Sequence, residues 1–321
     1  GIIAALEADP REELKTERHL TTPKHYAYLK ISEGCNWMCG YCAIPLIRGR
    51  HKSVPMEALI AEAEALVAKG VREIMVIAQD TTYYGVDIYG ERKLGELLER
   101  LCAIEKLEWI RLHYAYPTDF PDEVIEVMAR QKKICRYLDI PFQHISDNQL
   151  SAMKRRHTKA DALRLVEKLR ASIPDIALRT TLLVGYPGET EEDFAELMEF
   201  VRETKFDRLG VFPYSEEEGT YSAEKLSDNV PEQTKARRME EIMQIQSEIS
   251  LQLNTERIGS VERGIIDSRQ GDYYVGRSQF DSPEVDEEIL IPADKKRLIR
   301  GKFYNVRITD ADDFDLYAEI V

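Results

Sequence analysis

Three cysteines lie within eight residues of one another near the start of the chain. Cys35, Cys39 and Cys42 have the spacing CxxxCxxC, and no fourth cysteine follows nearby. A structural zinc site needs four ligands, and a cubane iron–sulfur cluster is normally held by four thiolates. Three thiolates on one segment therefore predict an iron–sulfur cluster with one iron left open, where a substrate can bind.

Plainer interpretations of the three cysteines are a chance grouping, a disulfide with a spare thiol, or a zinc site with a distant ligand. Five cysteines among 321 residues are too few for a disulfide framework. His51 is the nearest candidate zinc ligand, but no second paired motif accompanies it. Cys102 and Cys135 stand alone, and we expect both to be buried as small apolar side chains.

Composition excludes several classes of protein. The hydrophobic fraction is 43%, with no apolar run long enough to span a membrane and no signal segment. Few cysteines and a cluster motif favour the cytoplasm. The net charge of −14 argues against RNA as the default partner, because RNA binding depends on neutralising phosphates. An acidic surface suits a basic partner instead.

Short β-rich segments alternate with helical segments from residue 26 onward, which predicts a parallel sheet with crossover helices. The predicted strands are 26–31, 73–78, 109–115, 137–142, 177–184 and 208–214. The predicted helices are 56–69, 94–104, 122–130, 159–171 and 191–204. Six strand–helix units are fewer than the eight of a closed barrel, so we expect a partial (β/α)6 barrel.

The character of the chain changes near residue 257. A long helix over 231–257 is followed by five short β-like segments, which predict a small antiparallel barrel. These segments are 260–267, 273–279, 289–291, 301–309 and 314–321. We therefore divide the chain into a linker or N-terminal extension (1–24), a parallel α/β domain (25–257) and a small all-β domain (258–321).

The cysteine motif follows the first predicted strand, at the end of a parallel barrel where active sites lie. Cys35, Cys39, Tyr41 and Cys42 match the signature CxxxCxΦC, in which Φ is aromatic, so this part of the chain resembles the radical S-adenosylmethionine superfamily. The resemblance implies that the three thiolates hold a [4Fe-4S] cluster and that the open iron binds S-adenosylmethionine. It also implies that reductive cleavage of that cofactor yields a 5′-deoxyadenosyl radical, and that the backbone beside Tyr41 lies against the adenine.

Other strand ends supply further candidates for contact with S-adenosylmethionine. With Tyr41, the predicted cofactor-binding residues are Gln79, Asp80, Gln143, Arg179, Val184 and Gly185. The segment from Val184 to Thr190 resembles the glycine-rich adenine segment of the superfamily. A solvated face is the plain alternative for Arg155 and Arg156, and a satisfied polar residue is the plain alternative for His144. No residue is assigned a catalytic role.

A narrower resemblance to the methylthiotransferases covers nearly the whole chain. It rests on residues 35–52, 112–117, 139–144 and 153–158, and it implies a radical domain followed by a TRAM barrel. One branch of the family modifies an adenosine of transfer RNA, and the other modifies an aspartate of small-subunit ribosomal protein twelve. Segments 112–117, 139–144 and 276–284 resemble the second branch.

The net charge of the small domain favours the branch that modifies a ribosomal protein, independently of the resemblance. Residues 258–321 contain 14 acidic and nine basic residues, a net charge of −5. A barrel that binds RNA should be basic, whereas an acidic barrel complements a ribosomal protein, which is typically very basic. Methylthiolation of transfer RNA remains the alternative, and a non-catalytic iron–sulfur or zinc protein with an acidic docking barrel is a third.

The resemblance also implies an N-terminal domain with three more cysteines and a second cluster that delivers sulfur. No cysteine precedes Cys35, so we expect this chain to be a truncated form with one cluster. The sequence thus predicts a transferase that inserts sulfur at the β-carbon of a protein aspartate and methylates it from a second S-adenosylmethionine. A reductant that supplies electrons is expected as a further partner, a membrane is not, and RNA is not favoured.

Overall fold

The computed structural model describes residues 20–294 and 296–321. Residues 1–19, which make up most of the predicted N-terminal extension, lie outside this range.

Six parallel strands form the first sheet, in the order in which they follow one another along the chain. They are β1 (Tyr26–Lys30), β4 (Glu73–Ile77), β5 (Trp109–Leu112), β6 (Ile134–Asp139), β7 (Ala177–Val184) and β8 (Arg208–Pro213). A small two-stranded ladder of β2 (Ser32–Glu33) and β3 (Lys52–Ser53) lies beside β1 in sequence. The predicted partial barrel of six parallel strands is confirmed.

Helices connect the strands and cover one face of the sheet. They are α1 (Ile44–Arg48), α2 (Met56–Ala68), α3 (Val86–Tyr89), α4 (Leu94–Cys102), α5 (Asp122–Arg130), α6 (Asp147–Ala152), α7 (Lys159–Ser172), α8 (Glu191–Thr204), α9 (Tyr221–Lys225) and α10 (Glu232–Glu256). In α2 the buried side chains include Leu59, Ala63, Leu66 and Val67, which recur at helical spacing and therefore share one face. The core of the domain lies between these helices and the sheet.

Strand β6 ends three residues earlier than the sequence predicts. The predicted range was 137–142, but the strand ends at Asp139. Pro141 has no N–H to donate to the ladder, so regular pairing cannot continue through it. Pairing resumes at a single bridge between Gln143 and Leu182, with Gln143 at a φ of 73°. The interruption turns the chain at the end of the sheet where the predicted site lies.

The second domain is a closed five-stranded barrel, as the sequence predicts. Its strands are β9 (Val261–Gln270), β10 (Tyr273–Ser278), β11 (Glu288–Pro292), β12 (Phe303–Ala311) and β13 (Asp315–Ile320). The expectation of antiparallel pairing throughout was wrong for one pair, because β11 and β13 run parallel. Strand β12 pairs with β9 and β13, which leaves β13 to lie beside β11 in the same direction.

The expected burial of Cys102 and Cys135 is confirmed, and both are free of disulfide bonds. The predicted long helix is α10, which packs Ile242 and Ile249 into the core, with Met239, Ile245 and Leu253 partly buried against it. Among the described helices, none combines the length and the apolar character needed to cross a bilayer.

The connection between β10 and β11 joins the two domains. Its residues pair with side chains from two strands of the parallel sheet and with one that directly follows a third strand. Asp281 accepts hydrogen bonds from Arg208 of β8 at 2.5 and 3.2 Å, and Ser282 contacts His113 after β5 at 2.9 Å. Asp286 accepts a hydrogen bond from Arg179 of β7 at 3.2 Å. The small barrel is therefore held to the parallel domain by buried polar contacts.

Candidate functional site

The three cysteines lie on the loop that connects β2 to α1, at the carboxyl end of the first parallel strand. All three are half-buried and none forms a disulfide. Backbone hydrogen bonds hold the loop at separate points: Cys35 N–H to Gly49 O at 3.1 Å, and Gly40 N–H to Met153 O at 2.8 Å. The loop is thus tied both to its own return segment and to the segment after α6.

Burial governs the chemistry of the thiols. It raises the pKa of Cys35 to about 11 and also raises the pKa of Cys42. Both thiols therefore carry their protons at neutral pH unless a metal displaces them. Within residues 20–294 and 296–321, no three His, Cys, Asp or Glu side chains are already arranged around one metal position. The assignment of Cys35, Cys39 and Cys42 to a cluster stays a prediction.

An aromatic stack lies against the cysteine loop. The rings of Trp37 and Tyr116 are parallel, with centroids 4.1 Å apart and an interplanar angle of 5°. The Arg155 guanidinium lies over Tyr116 at 4.2 Å, and that of Arg156 lies over Trp37 at 5.5 Å. Cation–π contacts of this kind stabilise a fixed ring geometry. The stack links the cysteine loop to the segments after β5 and α6.

Asp80 and Gln79, two predicted cofactor residues, both contact the neighbourhood of the cysteines. Asp80 accepts a hydrogen bond from the Trp37 indole N–H at 2.6 Å and caps a short 3₁₀ helix (Thr81–Tyr83). Gln79 donates to the carboxylate of Glu33 at 2.7 Å. In this structure Asp80 holds the cysteine loop in place, and its predicted contact with a cofactor stays a prediction.

Val184 ends strand β7, and Gly185 follows it. Val184 is buried, and Gly185 adopts a φ of 71°, a conformation that favours glycine. A Cβ at Gly185 would lie 2.3 Å from Lys235 Cγ, so the position has no room for a side chain. The Gly185 N–H donates to the buried carboxylate of Glu189, which also contacts His144 at 3.2 Å. The satisfied-polar interpretation of His144 fits these contacts.

Tyr41 and Gln143 lie at the same end of the sheet. Tyr41 packs edge-on against Tyr186, with ring centroids 6.5 Å apart, and burial raises the pKa of its hydroxyl. The backbone of Gln143 forms hydrogen bonds with β7 through both its N–H and its carbonyl, and the carbonyl accepts from Leu183 N–H at 2.7 Å. Their predicted contacts with S-adenosylmethionine stay predictions.

Arg179 is placed differently from the other candidates. It donates to Asp139 and to Asp286, each at 3.2 Å, and none of its described contacts is with the cysteine loop. Asp139 also accepts a hydrogen bond from Tyr114 N–H at 3.3 Å. Arg179 thus bridges β6 of the parallel domain and the connection to the small barrel, and its predicted contact with a cofactor stays a prediction.

Sequence reasoning missed two residues of the site. Tyr116 stacks on Trp37, and Glu189 contacts both Gly185 N–H and His144. Both lie in segments singled out for other reasons, and neither has a local pattern that reports its partner. The plain alternative of a solvated face at Arg155 and Arg156 holds only for Arg156, which is exposed, whereas Arg155 is buried. A buried arginine in a loop could not be told from an exposed one by sequence spacing.

Comparisons with known proteins agree with this arrangement. Residues 29–201 match the Radical SAM superfamily, and residues 258–321 match the TRAM domain. Ribosomal protein uS12 methylthiotransferase RimO of Phocaeicola vulgatus is 55% identical over 320 residues, covering 100% of this chain and 74% of that protein. The chain belongs to the RimO family of radical SAM methylthiotransferases.

Other RimO proteins give the same result. That of Bacteroides thetaiotaomicron is 56% identical over 310 residues, which are 97% of this chain and 71% of that protein. The solved structure of coproporphyrinogen III oxidase (HemN) from Escherichia coli, a radical SAM enzyme, has a TM-score of 0.57 at 16% identity. It covers 81% of this chain and 68% of that chain, and it supports the fold alone.

Membership of the RimO family makes the protein a transferase. The radical SAM superfamily implies a [4Fe-4S] cluster and S-adenosylmethionine. The chemistry of the donor set fits: three free cysteines on one anchored loop, beside a buried arginine. The alternatives of a transfer-RNA enzyme and of a non-catalytic protein are not supported by the relatives found.

Proposed function

We propose that this chain is the radical and substrate-docking part of an enzyme that adds a methylthio group to the β-carbon of an aspartate in ribosomal protein uS12. The observation that carries the proposal is the identity of 52–56% with RimO proteins across at least 96% of the chain. The chain spans 71–74% of the length of these relatives. The rest of that length would carry the second cluster predicted from the resemblance.

The three cysteines would hold the cluster that cleaves S-adenosylmethionine to the radical that removes hydrogen from the aspartate. An unactivated C–H bond needs a radical, because no side-chain base removes such a hydrogen at neutral pH. Trp37, held by Asp80, would keep the cysteine loop in one geometry. Gly185 would let the stem of Lys235 pack against the end of β7 beside the predicted site, with its N–H oriented by Glu189.

Charge supports a basic protein substrate. The small barrel carries a net charge of −5, and exposed carboxylates such as Glu284 and Glu288 lie beside the exposed apolar side chains of Val285 and Phe314. Electrostatic complementarity of this kind raises association rates and excludes acidic partners. We therefore propose that the barrel docks uS12, and that RNA is not the primary partner.

Domain boundaries at 25–257 and 258–321 belong to this proposal. They are supported by the start of β1 at Tyr26, the end of α10 at Glu256 and the start of the TRAM match at residue 258. A cellular reductant would supply the electrons. Because uS12 is a ribosomal protein, we place the enzyme in the cytoplasm.

Cluster binding by this chain tests the first part of the proposal. After anaerobic incubation with iron and sulfide, we expect about one cubane cluster per chain, by the three-thiolate chemistry of such sites. Cys39→Ala should lose it, and Cys102→Ala, a matched change outside the loop, should keep it. Equal iron and sulfide in the Cys39→Ala and wild-type proteins would refute the assignment.

Substrate identity needs the full-length enzyme. Incubation with uS12, or separately with transfer RNA, followed by mass spectrometry should place a methylthio group on an aspartate of uS12 only. Replacement of that aspartate by asparagine is the control and should abolish the mass gain. A gain on transfer RNA instead would reverse the choice of branch.

A further inference from the structure

Arg155 is a buried cation without a carboxylate partner. Its side chain belongs to the segment after α6, and the residue is 8% exposed. Its Nη2 donates to the carbonyl of Pro141 at 2.5 Å, while its Nε has no hydrogen-bond partner. Within the described part of the chain, no Asp or Glu pairs with it. Buried arginines elsewhere in this protein, such as Arg208 and Arg277, each pair with a carboxylate.

The remaining nitrogen of Arg155 points to a sulfur. Its Nη1 lies 3.8 Å from Cys39 Sγ, and the Tyr116 hydroxyl lies at the same distance from that sulfur. The guanidinium is held over the Tyr116 ring at 4.2 Å. A guanidinium nitrogen and a phenol hydroxyl therefore meet at one sulfur, and the aromatic stack fixes both of them.

A neutral thiol does not balance a buried positive charge, but a metal-bound thiolate does. Leaving a charge buried without an opposite charge is strongly unfavourable. Positive charge and hydrogen bonds at the sulfurs of an iron–sulfur cluster also favour its reduced form, because reduction adds negative charge. The position of Arg155 therefore fits an anionic sulfur at Cys39 better than a neutral thiol.

We infer that Arg155 is a positioning residue whose guanidinium supplies the fixed counter-charge at Cys39 and raises the reduction potential of the cluster. Tyr116 holds the guanidinium in place. The inference rests on the proposed assignment of the three cysteines to the cluster. It adds a residue 116 positions away from Cys39 that tunes how readily the cluster accepts its electron.

Three variants test the inference: Arg155→Met, Arg155→Lys and Arg156→Met. Arg156 is the matched control, because it is the next residue, carries the same charge and lies over Trp37 while exposed to solvent. Each protein is loaded anaerobically, its iron and sulfide are measured, and its reduction midpoint is followed by electron paramagnetic resonance. These measurements do not depend on turnover.

Arg155→Met should hold a cluster that is at least tenfold harder to reduce, a shift of about 59 mV to more negative potential for one electron. Arg155→Lys, which keeps the charge, should recover most of that shift, and Arg156→Met should match the wild type. Loss of the cluster from Arg155→Met but not from Arg155→Lys would also support the counter-charge.

Two results would overturn the inference. One is a wild-type midpoint in Arg155→Met, which would leave the proposed function intact. The other is equal loss of the cluster from Arg155→Met and Arg155→Lys, because the charge would then not be what matters. Absence of a cluster from the wild-type chain would instead refute the cysteine assignment itself, and the iron analysis separates this case from the other two.

Discussion

Glu73 is a fully buried carboxylate that joins the two domains. Its Oε1 accepts hydrogen bonds from Arg111 Nε and Arg277 Nη1, each at 3.0 Å, and its Oε2 accepts one from Arg277 Nη2 at 2.6 Å. Arg111 lies on β5 and Arg277 lies on β10 of the small barrel. Replacement of Glu73 by glutamine keeps the shape of the side chain but leaves two buried arginines short of negative charge.

The expected loss can be worked out from the pKa of Glu73. Burial by itself would raise this pKa, but attraction to Arg277 and Arg111 outweighs it and holds the pKa at about 2, below the ordinary 4.5. At about 1.4 kcal/mol per pKa unit, the folded state favours the ionised carboxylate by roughly 3 kcal/mol. Breaking a buried ion pair costs about 3–5 kcal/mol. We expect Glu73→Gln to lower the unfolding free energy by about 3 kcal/mol.

The contribution of Glu73 to stability should fall as the pH falls. Because the pKa of Glu73 is lower in the folded state than in the unfolded state, its contribution is fully present above pH 4.5. It is lost progressively as the pH falls from 4.5 through about 2. The stability difference between wild type and Glu73→Gln should therefore shrink over this range.

Glu108→Gln is the matched control. Glu108 pairs with Arg263 of the small barrel at 2.8 Å, but these side chains are 41% and 46% exposed. An exposed pair contributes about 0–1 kcal/mol. Urea unfolding followed by far-ultraviolet circular dichroism and by fluorescence of Trp109, which contacts Phe303 across the interface, measures both variants. Equal losses in Glu73→Gln and Glu108→Gln would refute the reasoning.

Three further predictions concern other buried groups. Burial lowers the pKa of His113 to about 3, so its contribution to stability should be lost as the pH drops from 6.5 towards 3; between pH 6.5 and 4.5, where Glu73 stays ionised, His113→Gln should make the pH dependence of the unfolding free energy shallower than in the wild type, and an unchanged slope would contradict this. Glu189→Gln should cost about 3 kcal/mol, because Arg238 loses a buried partner; a thermal melt that matches the wild type would refute this. Trp37→Phe should lower the unfolding free energy by about 2 kcal/mol, because the hydrogen bond to Asp80 is lost. It should also weaken retention of the cluster, and an unchanged iron content would argue against a role of Trp37 in holding the cysteine loop.

Much of the fold could be predicted because it depends on local patterns. The helix predicted over 56–69 is α2, whose buried residues recur at helical spacing. The helix predicted over 191–204 is α8, which begins after Thr190 at a capping box with Asp193, a signal that lies within four residues of sequence. Strand β6 was placed three residues too late, because the predicted range ran through Pro141, whose missing N–H ends regular pairing.

Contacts between distant segments were not predictable in the same way. The sequence placed Arg179 on the fifth predicted strand, but nothing in the local pattern indicated that one of its partners, Asp286, comes from a loop of the other domain. Likewise, the parallel pairing of β11 and β13 depends on where β12 finds its neighbours. Such choices are made by the packing of whole elements, and no local pattern reports them.

The sequence by itself determined the cysteine spacing, the six strand–helix units, the acidic small barrel and the resemblance to the methylthiotransferases. These features are set by residue types and intervals within short segments. Only the tertiary structure decided that Arg155 is buried against Cys39, that Asp80 holds Trp37, and that a loop of the small barrel pairs with the parallel sheet. The physical reason is that burial and charge compensation are properties of the folded surroundings, which bring together side chains far apart in the chain.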